Sequence, residues 1–190
     1  AHMAIAREEK KIHKSNWKIL VEGGLESYHF KVAHRKTIGP YFEDNLSSYQ
    51  MLGDHMRSVL MRSSMHTLKD LPPSQWRLRD HANIIYTFFP TTQLLVQQDH
   101  IVWINSRPIS ATETELRLVT LAPITRLEDD EYWDKNHRIT SNTLNEDFVI
   151  GESIQAGLAT GANEHMTFGR FEGALPEFNR VVKRYTSAQA

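Results

Sequence analysis

From residue 83 to residue 121 the chain is a succession of short segments rich in Ile, Val, Thr, Phe and Trp: Asn83 to Phe89, Gln93 to Val96, His100 to Asn105 and Glu115 to Leu121. The pieces between them, Pro90-Thr91-Thr92, Gln97-Gln98-Asp99 and Ser106-Arg107-Pro108, are turn-like. A parallel crossover needs about a dozen residues or more, usually a helix, and these connections leave no room for one. The strands are therefore expected to be antiparallel neighbours in a meander. Glu115-Leu116-Arg117-Leu118 alternates as a half-buried strand should. Ser48 to Ser58 offers another strand, and Met65 to Trp76 reads as a short helix or an irregular insertion.

The flanks read differently. Ala6 to Ser15 is charged and helix-permissive, which predicts a surface segment. Trp17, Leu20, Val21, Leu25, Tyr28, Val32 and Ala33 recur at three- and four-residue steps, the stripe of an amphipathic helix. Gly23-Gly24 within it predicts close packing or a local irregularity, and Pro40 ends it. After Pro123 the spacing predicts helices over Asp129 to Thr140, Leu144 to Leu158 and about Leu175 to Tyr185. The expected architecture is α+β, a single domain in which a curved antiparallel sheet grips a long C-terminal helix around a cavity.

Composition removes several classes of function. The 190 residues include no cysteine, which excludes a disulfide framework, a thiolate nucleophile, a zinc ribbon and a cysteine-ligated iron–sulfur cluster within this chain. A formal net charge of -1 gives no electrostatic footprint for nucleic acid or an anionic membrane. No apolar run approaches the ~18 residues of a spanning helix, so a soluble, cytoplasmic protein is expected. Ala1-His2-Met3 reads as a remnant of tag cleavage, which leaves residues 4–190 as the domain.

Chemistry concentrates in two segments. In Glu22-Gly23-Gly24-Leu25-Glu26-Ser27-Tyr28-His29-Phe30-Lys31-Val32-Ala33-His34, Glu22, Glu26 and His29 share one helical face. His34 lies about 140° further round an ideal helix, so both imidazoles meet one metal only if the helix is bent or widened, as by a π-bulge. Two histidines and a carboxylate with open positions form the non-haem Fe(II) facial triad. The spacing alone fits surface or capping histidines equally. In the second segment, Asn145 to Leu158, Asp147 or Glu146 offers a third ligand, although carboxylates in a helical first turn also satisfy the helix dipole.

Together these segments resemble the catalytic domain of Rieske-type aromatic-ring-hydroxylating oxygenase α subunits. The resemblance rests on Asn16-Trp17-Lys18, the His-x4-His pair with an acid three residues before it, His34-Arg35-Lys36-Thr37-Ile38-Gly39-Pro40-Tyr41, the distant Asp147…Gln155 helix, and Gly157-Leu158 followed by Phe168-Gly169-Arg170-Phe171-Glu172. It spans roughly residues 16 to 185. It implies a helix-grip fold, with mononuclear Fe(II) on His29, His34 and Asp147. Glu26 would link the iron histidines to a Rieske cluster ligand on a neighbouring subunit of a homotrimer. Many members have Asp at that position, and Asn is frequent where this chain has Gly23. The Rieske [2Fe–2S] centre needs two Cys and two His; the resemblance places it in a preceding domain absent from this chain. The implied reaction is hydroxylation, dihydroxylation or demethylation of a small organic substrate with O2, fed by a reductase or ferredoxin. A pocket lined by the strands and by Ile150, Ile154 and Leu158 is expected.

Three rival readings remain at this level. One is a non-catalytic helix-grip module binding a small hydrophobic ligand. Another is a zinc hydrolase on the same residues, although no His-Glu-x-x-His motif occurs. The third is a chain whose iron chemistry has decayed. His13, His55, His66, His81, His100, His137 and His165 read as ordinary surface or strand histidines.

Overall fold

The computed structural model describes residues 2–163 and 165–187. Its centre is a seven-stranded antiparallel sheet in the order β1-β7-β6-β5-β4-β3-β2. The strands are β1 (Met3–His13), β2 (Ser48–Leu52), β3 (His55–Met61), β4 (Ala82–Phe88), β5 (Thr92–Val96), β6 (Ile101–Pro108) and β7 (Thr114–Pro123). β2 through β7 form the expected meander. The segment from Ser48 to Ser58 is a hairpin rather than one strand: Gly53, at φ 66°, supplies the left-handed turn residue. Met65 to Trp76 lies in 3₁₀ turns.

The charged N-terminal segment corrects the sequence expectation. It is a strand that pairs with β7 from Met3↔Pro123 to His13↔Thr114, with a bulge between Ile5 and Arg7. Its Lys and Glu residues suit a sheet edge, where charge discourages further strand addition. Glu8 pairs with Arg117 across the ladder at 2.7 Å. A helical propensity of charged residues is weak beside ten backbone pairings.

The helix expected over residues 17–33 is two helices, α1 (Trp17–Gly23) and α2 (Phe30–Ala33). Asn16 caps α1 by accepting from the Lys18 amide at 3.0 Å. The break follows from tertiary packing. A Cβ on Gly24 would lie 2.6 Å from the Gln93 side chain, which donates to the Val21 carbonyl from the sheet. The C-terminal helices correct the reading the other way: Asp130–Leu158 is one helix, α3, of 29 residues. In its Ser/Thr-rich middle the hydroxyls of Thr140 and Thr143 donate to the carbonyls of Asn136 and Ile139, one turn back, so they do not compete for the helix's own amides. α4 (Ala174–Ser187) closes the fold, with Phe178 packed among Val21, Leu25 and Met56.

α3 lies across β1, β7 and α1. Leu20, Val102, Ile104, Leu116, Leu118 and Phe148 form the buried cluster between helix and sheet. A second cluster, Phe30, Phe42, Leu60 and Ile85, seats α2 on β3 and β4. The α+β helix-grip reading therefore holds, and the space between these clusters is the cavity.

Candidate metal centre

α2 is a single turn, and its two ends carry the histidines: His29 is the N-cap residue and His34 the C-cap. No π-bulge is needed. The chain turns before His29 and after His34, and the rings converge with centroids 5.2 Å apart. Gly39 holds the arrangement closed, since its amide donates to the His34 carbonyl at 2.9 Å. A Cβ there would stand 2.7 and 2.8 Å from the carbonyl oxygens of Phe30 and His34.

Asp147 comes in from α3. Its Oδ1 lies 3.0 Å from His34 Nε2 and 3.5 Å from His29 Nε2. One ligand atom from each of His29, His34 and Asp147 lies within 4.8 Å of the others. The Asp147 contacts have ion-pair distance without hydrogen-bond direction, so both buried Nε2 atoms are left without a hydrogen-bond partner among the described residues. Buried orphan nitrogens facing one carboxylate oxygen are costly unless something else satisfies them. This donor set fits a metal that accepts imidazole and carboxylate, Fe(II) among them.

The outer nitrogens are occupied. His29 Nδ1 pairs with Glu26, and His34 Nδ1 donates to Glu146 Oε2 at 2.7 Å. Thr37 Oγ1 donates to the same oxygen at 2.7 Å. Carboxylates bound to Nδ1 fix the tautomer that leaves Nε2 for a metal. Glu146, read from sequence as an alternative ligand, is thus the partner of His34, and Asp147 faces inward. Glu26 is only 5% exposed, and its second oxygen accepts from the backbone amides of Tyr28 and His29. Glu22, placed with Glu26 and His29 by helical spacing, instead accepts from Asn179 on α4 at 2.7 Å. The break at Gly23-Gly24 removes their common face.

The charges are coupled. Burial opposes protonation of His29, but its contacts with Asp147 and Glu26 prevail and raise its pKa to about 9. His34 is raised by the same balance of burial against Asp147 and Glu146. Burial works against ionising Asp147, yet the two imidazoles hold its carboxyl below the ordinary value.

Beside the triad lies a cavity of about 490 Å³. Its walls are mainly apolar, including Leu20, Phe30, Ile85, Leu95, Leu144 and Phe148, with His34 and Asp147 on one side. The expectation that Ile150, Ile154 and Leu158 line it is wrong. Ile150 is 44% exposed, and all three form an outward stripe. Beyond Phe148 the inner face of α3 packs on α1 through Gly151, whose position a Cβ would bring within 3.3 Å of Ile19. The helix lines the cavity through Ile139 to Phe148 instead. Of the histidines read as surface or strand residues, His13, His100 and His137 are buried: His13, at the end of β1, lies tilted against Phe148 with ring centroids 4.0 Å apart, His100 pairs with Asp99 and His137 with Thr120. No described helix is long and apolar enough to cross a membrane.

A family model described as "Ring hydroxylating alpha subunit (catalytic domain)" matches residues 4–188. No curated protein sequence matches the chain. Among solved structures, the quaternary ammonium Rieske monooxygenase CntA with an inhibitor aligns at TM-score 0.73 and 18% identity, over 96% of this chain and 50% of that one. Dicamba monooxygenase bound to dicamba aligns at 0.70 and 12%, over 99% and 59%. Naphthalene 1,2-dioxygenase from Rhodococcus sp. bound to indole aligns at 0.69 and 11%, over 99% and 57%. The chain thus spans between half and three fifths of these structures.

Proposed function

The chain belongs to the family of ring-hydroxylating α-subunit catalytic domains, and on that premise we propose that it is the iron-bearing part of a Rieske-type oxygenase. His29, His34 and Asp147 are the residues that would hold one Fe(II). Bound there, the iron supplies O2 activation for hydroxylation, dihydroxylation or demethylation of a small organic substrate, with electrons from a Rieske [2Fe–2S] centre.

The observation that carries this reading is the pair of buried Nε2 atoms without hydrogen-bond partners, aimed at Asp147 on the wall of an apolar cavity. A module that only bound a hydrophobic ligand would gain nothing from two such orphans. Glu26 and Glu146 hold the Nδ1 protons of His29 and His34, and Thr37 orients Glu146. The apolar walls keep water from the reacting space and hold the substrate beside His34 and Asp147.

The chain has no cysteine to ligate a Rieske cluster. In this reading residues 4–190 are the mononuclear-iron domain, and the cluster and its reductase or ferredoxin lie outside this chain. Glu26, against His29, is the connection toward that donor in a neighbouring copy of a homotrimer, working in the cytoplasm.

Nitric oxide, a surrogate for O2, tests the open position. Chain loaded anaerobically with Fe(II) is expected to give an iron–nitrosyl electron paramagnetic resonance signal that is lost in Asp147→Ala. Iron-loaded protein that gives no such signal would overturn the reading.

A further inference from the structure

The cavity lining contains two permanently charged side chains, Asp147 at the metal centre and Arg62. Asp147 is engaged by the histidines. Arg62 has no carboxylate within ion-pair distance among the described residues. Its place is nonetheless fixed. Its amide donates to the His81 carbonyl at 2.9 Å, its backbone bridges to Phe42, and its guanidinium packs over the Phe42 ring at 5.8 Å. A guanidinium stacked on an aromatic ring is pre-oriented, so it loses little freedom when it takes up a planar anion.

Gln98 ties Arg62 to a second cavity residue. Its amide oxygen accepts from Arg62 Nη1 at 3.1 Å, and its amide nitrogen donates to Asn83 Oδ1 at 3.4 Å. With Asn83 Oδ1 taken, its NH2 makes no hydrogen bond to the described residues and stays accessible to solvent. Arg62 Nε and Nη2 are likewise uncommitted. The cavity therefore holds neighbouring cationic and neutral donors with bonding capacity left over, against walls that are mainly apolar. A planar acceptor bearing negative charge answers all three features.

Resting on the oxygenase reading, we propose that Arg62 and Asn83 form a carboxylate-binding subsite, so that the substrate is an apolar organic acid whose ring or chain occupies the space between that subsite and His34.

The test uses three probes of one shape and different charge: 2-naphthoate, 2-naphthamide and a 2-naphthyltrimethylammonium salt. Binding is measured by calorimetry on metal-free chain, where no carboxylate can reach iron, and repeated with Fe(II) bound. The parent is expected to favour naphthoate over naphthamide by about tenfold or more, the gain of a charge-assisted bond. Arg62→Met removes that preference, lowering naphthoate affinity far more than naphthamide affinity, while Arg62→Lys keeps part of it. Circular dichroism of each variant checks the fold. Equal affinity for the acid and the amide, tighter binding of the cation, or a preference that survives Arg62→Met would each overturn the subsite. So would absence of naphthoate binding in a parent chain that takes up Fe(II). An Fe(II) titration on the same samples reads the metal centre separately. A parent that prefers naphthoate but takes up no Fe(II) keeps the subsite and loses the oxygenase reading.

Discussion

His34 Nδ1 and Glu146 Oε2, 112 residues apart in the chain, meet at 2.7 Å between the one-turn α2 and the long α3. The Nδ1–H donates to the carboxylate, which orients the ring and turns Nε2 toward Asp147. Adjacent residues of one helix thus do different work: Glu146 holds the ring from outside and Asp147 faces it from inside.

Removing Glu146 is therefore expected to weaken metal binding without removing a ligand. Glu146→Ala should lower Fe(II) affinity by about tenfold to a hundredfold, the usual effect of losing an outer partner of a ligating histidine. Glu146→Gln, which can still accept a hydrogen bond, should fall between. Competition with a chromophoric chelator measures both, and unchanged affinity in Glu146→Ala would remove this carboxylate from the site.

Metal binding should depend on pH in a stated direction. In metal-free chain the His29 pKa is raised from 6.5 to about 9. A raised pKa stabilises the fold fully below the unfolded value, and this contribution is lost as pH climbs through about 9. The metal must displace that proton, so Fe(II) affinity rises with pH as long as pH lies below about 9 and levels off above it. Asp147, lowered from 3.8, contributes above that value and loses its contribution as pH falls. Anaerobic titrations at several pH values check the slope; affinity that falls as pH rises from 6.5 to 9 would have the wrong sign.

Gly39→Ala should damage the site from a distance. The added methyl meets the carbonyl oxygens of Phe30 and His34, both backbone atoms that cannot swing aside. The expected cost is about 1–3 kcal/mol, as for other overpacked positions, together with weaker Fe(II) binding as His34 is displaced. Thermal unfolding and metal titration on one sample report both. Stability lost with metal affinity intact would show that α2 tolerates the shift.

Leu118→Ala separates fold from site. Leu118 is fully buried on β7, in the apolar cluster it shares with Phe148 of α3, and its side chain has no polar atom to join the triad's hydrogen bonds. Its truncation should cost about 2–5 kcal/mol in denaturant unfolding. Fe(II) affinity of the protein that remains folded is expected to be unchanged.

How much of this was legible in the sequence follows from range of interaction. The meander from β4 to β7 was readable because β-branched residues, turn residues and short connections are all local. β1 was misread as helix-permissive because a charged edge strand lacks the apolar run that marks a buried one. The break between α1 and α2 depends on Gln93, nearly 70 residues away, touching Gly24. His29, His34 and Asp147 were found through residue types and a family resemblance, and the structure brings them together. Glu146 carried no local sign of which ligand it would support. Ile150, Ile154 and Leu158 were misplaced because periodicity gives a stripe but not the direction it faces; Gly151, packed on α1, sets that direction. Thr37 stood only within the resembling segment His34 to Tyr41, with no role attached, and Arg62 gave no signal, since their importance lies in partners on other elements.

One metal is expected to sit on His29, His34 and Asp147 together. The direct measurement is anaerobic Fe(II) titration of this chain beside His29→Ala, His34→Ala and Asp147→Ala, with circular dichroism on each. One tight site per chain is expected, lost in every variant while the fold persists. A parent that binds no Fe(II), or variants that bind it as well as the parent, would contradict it.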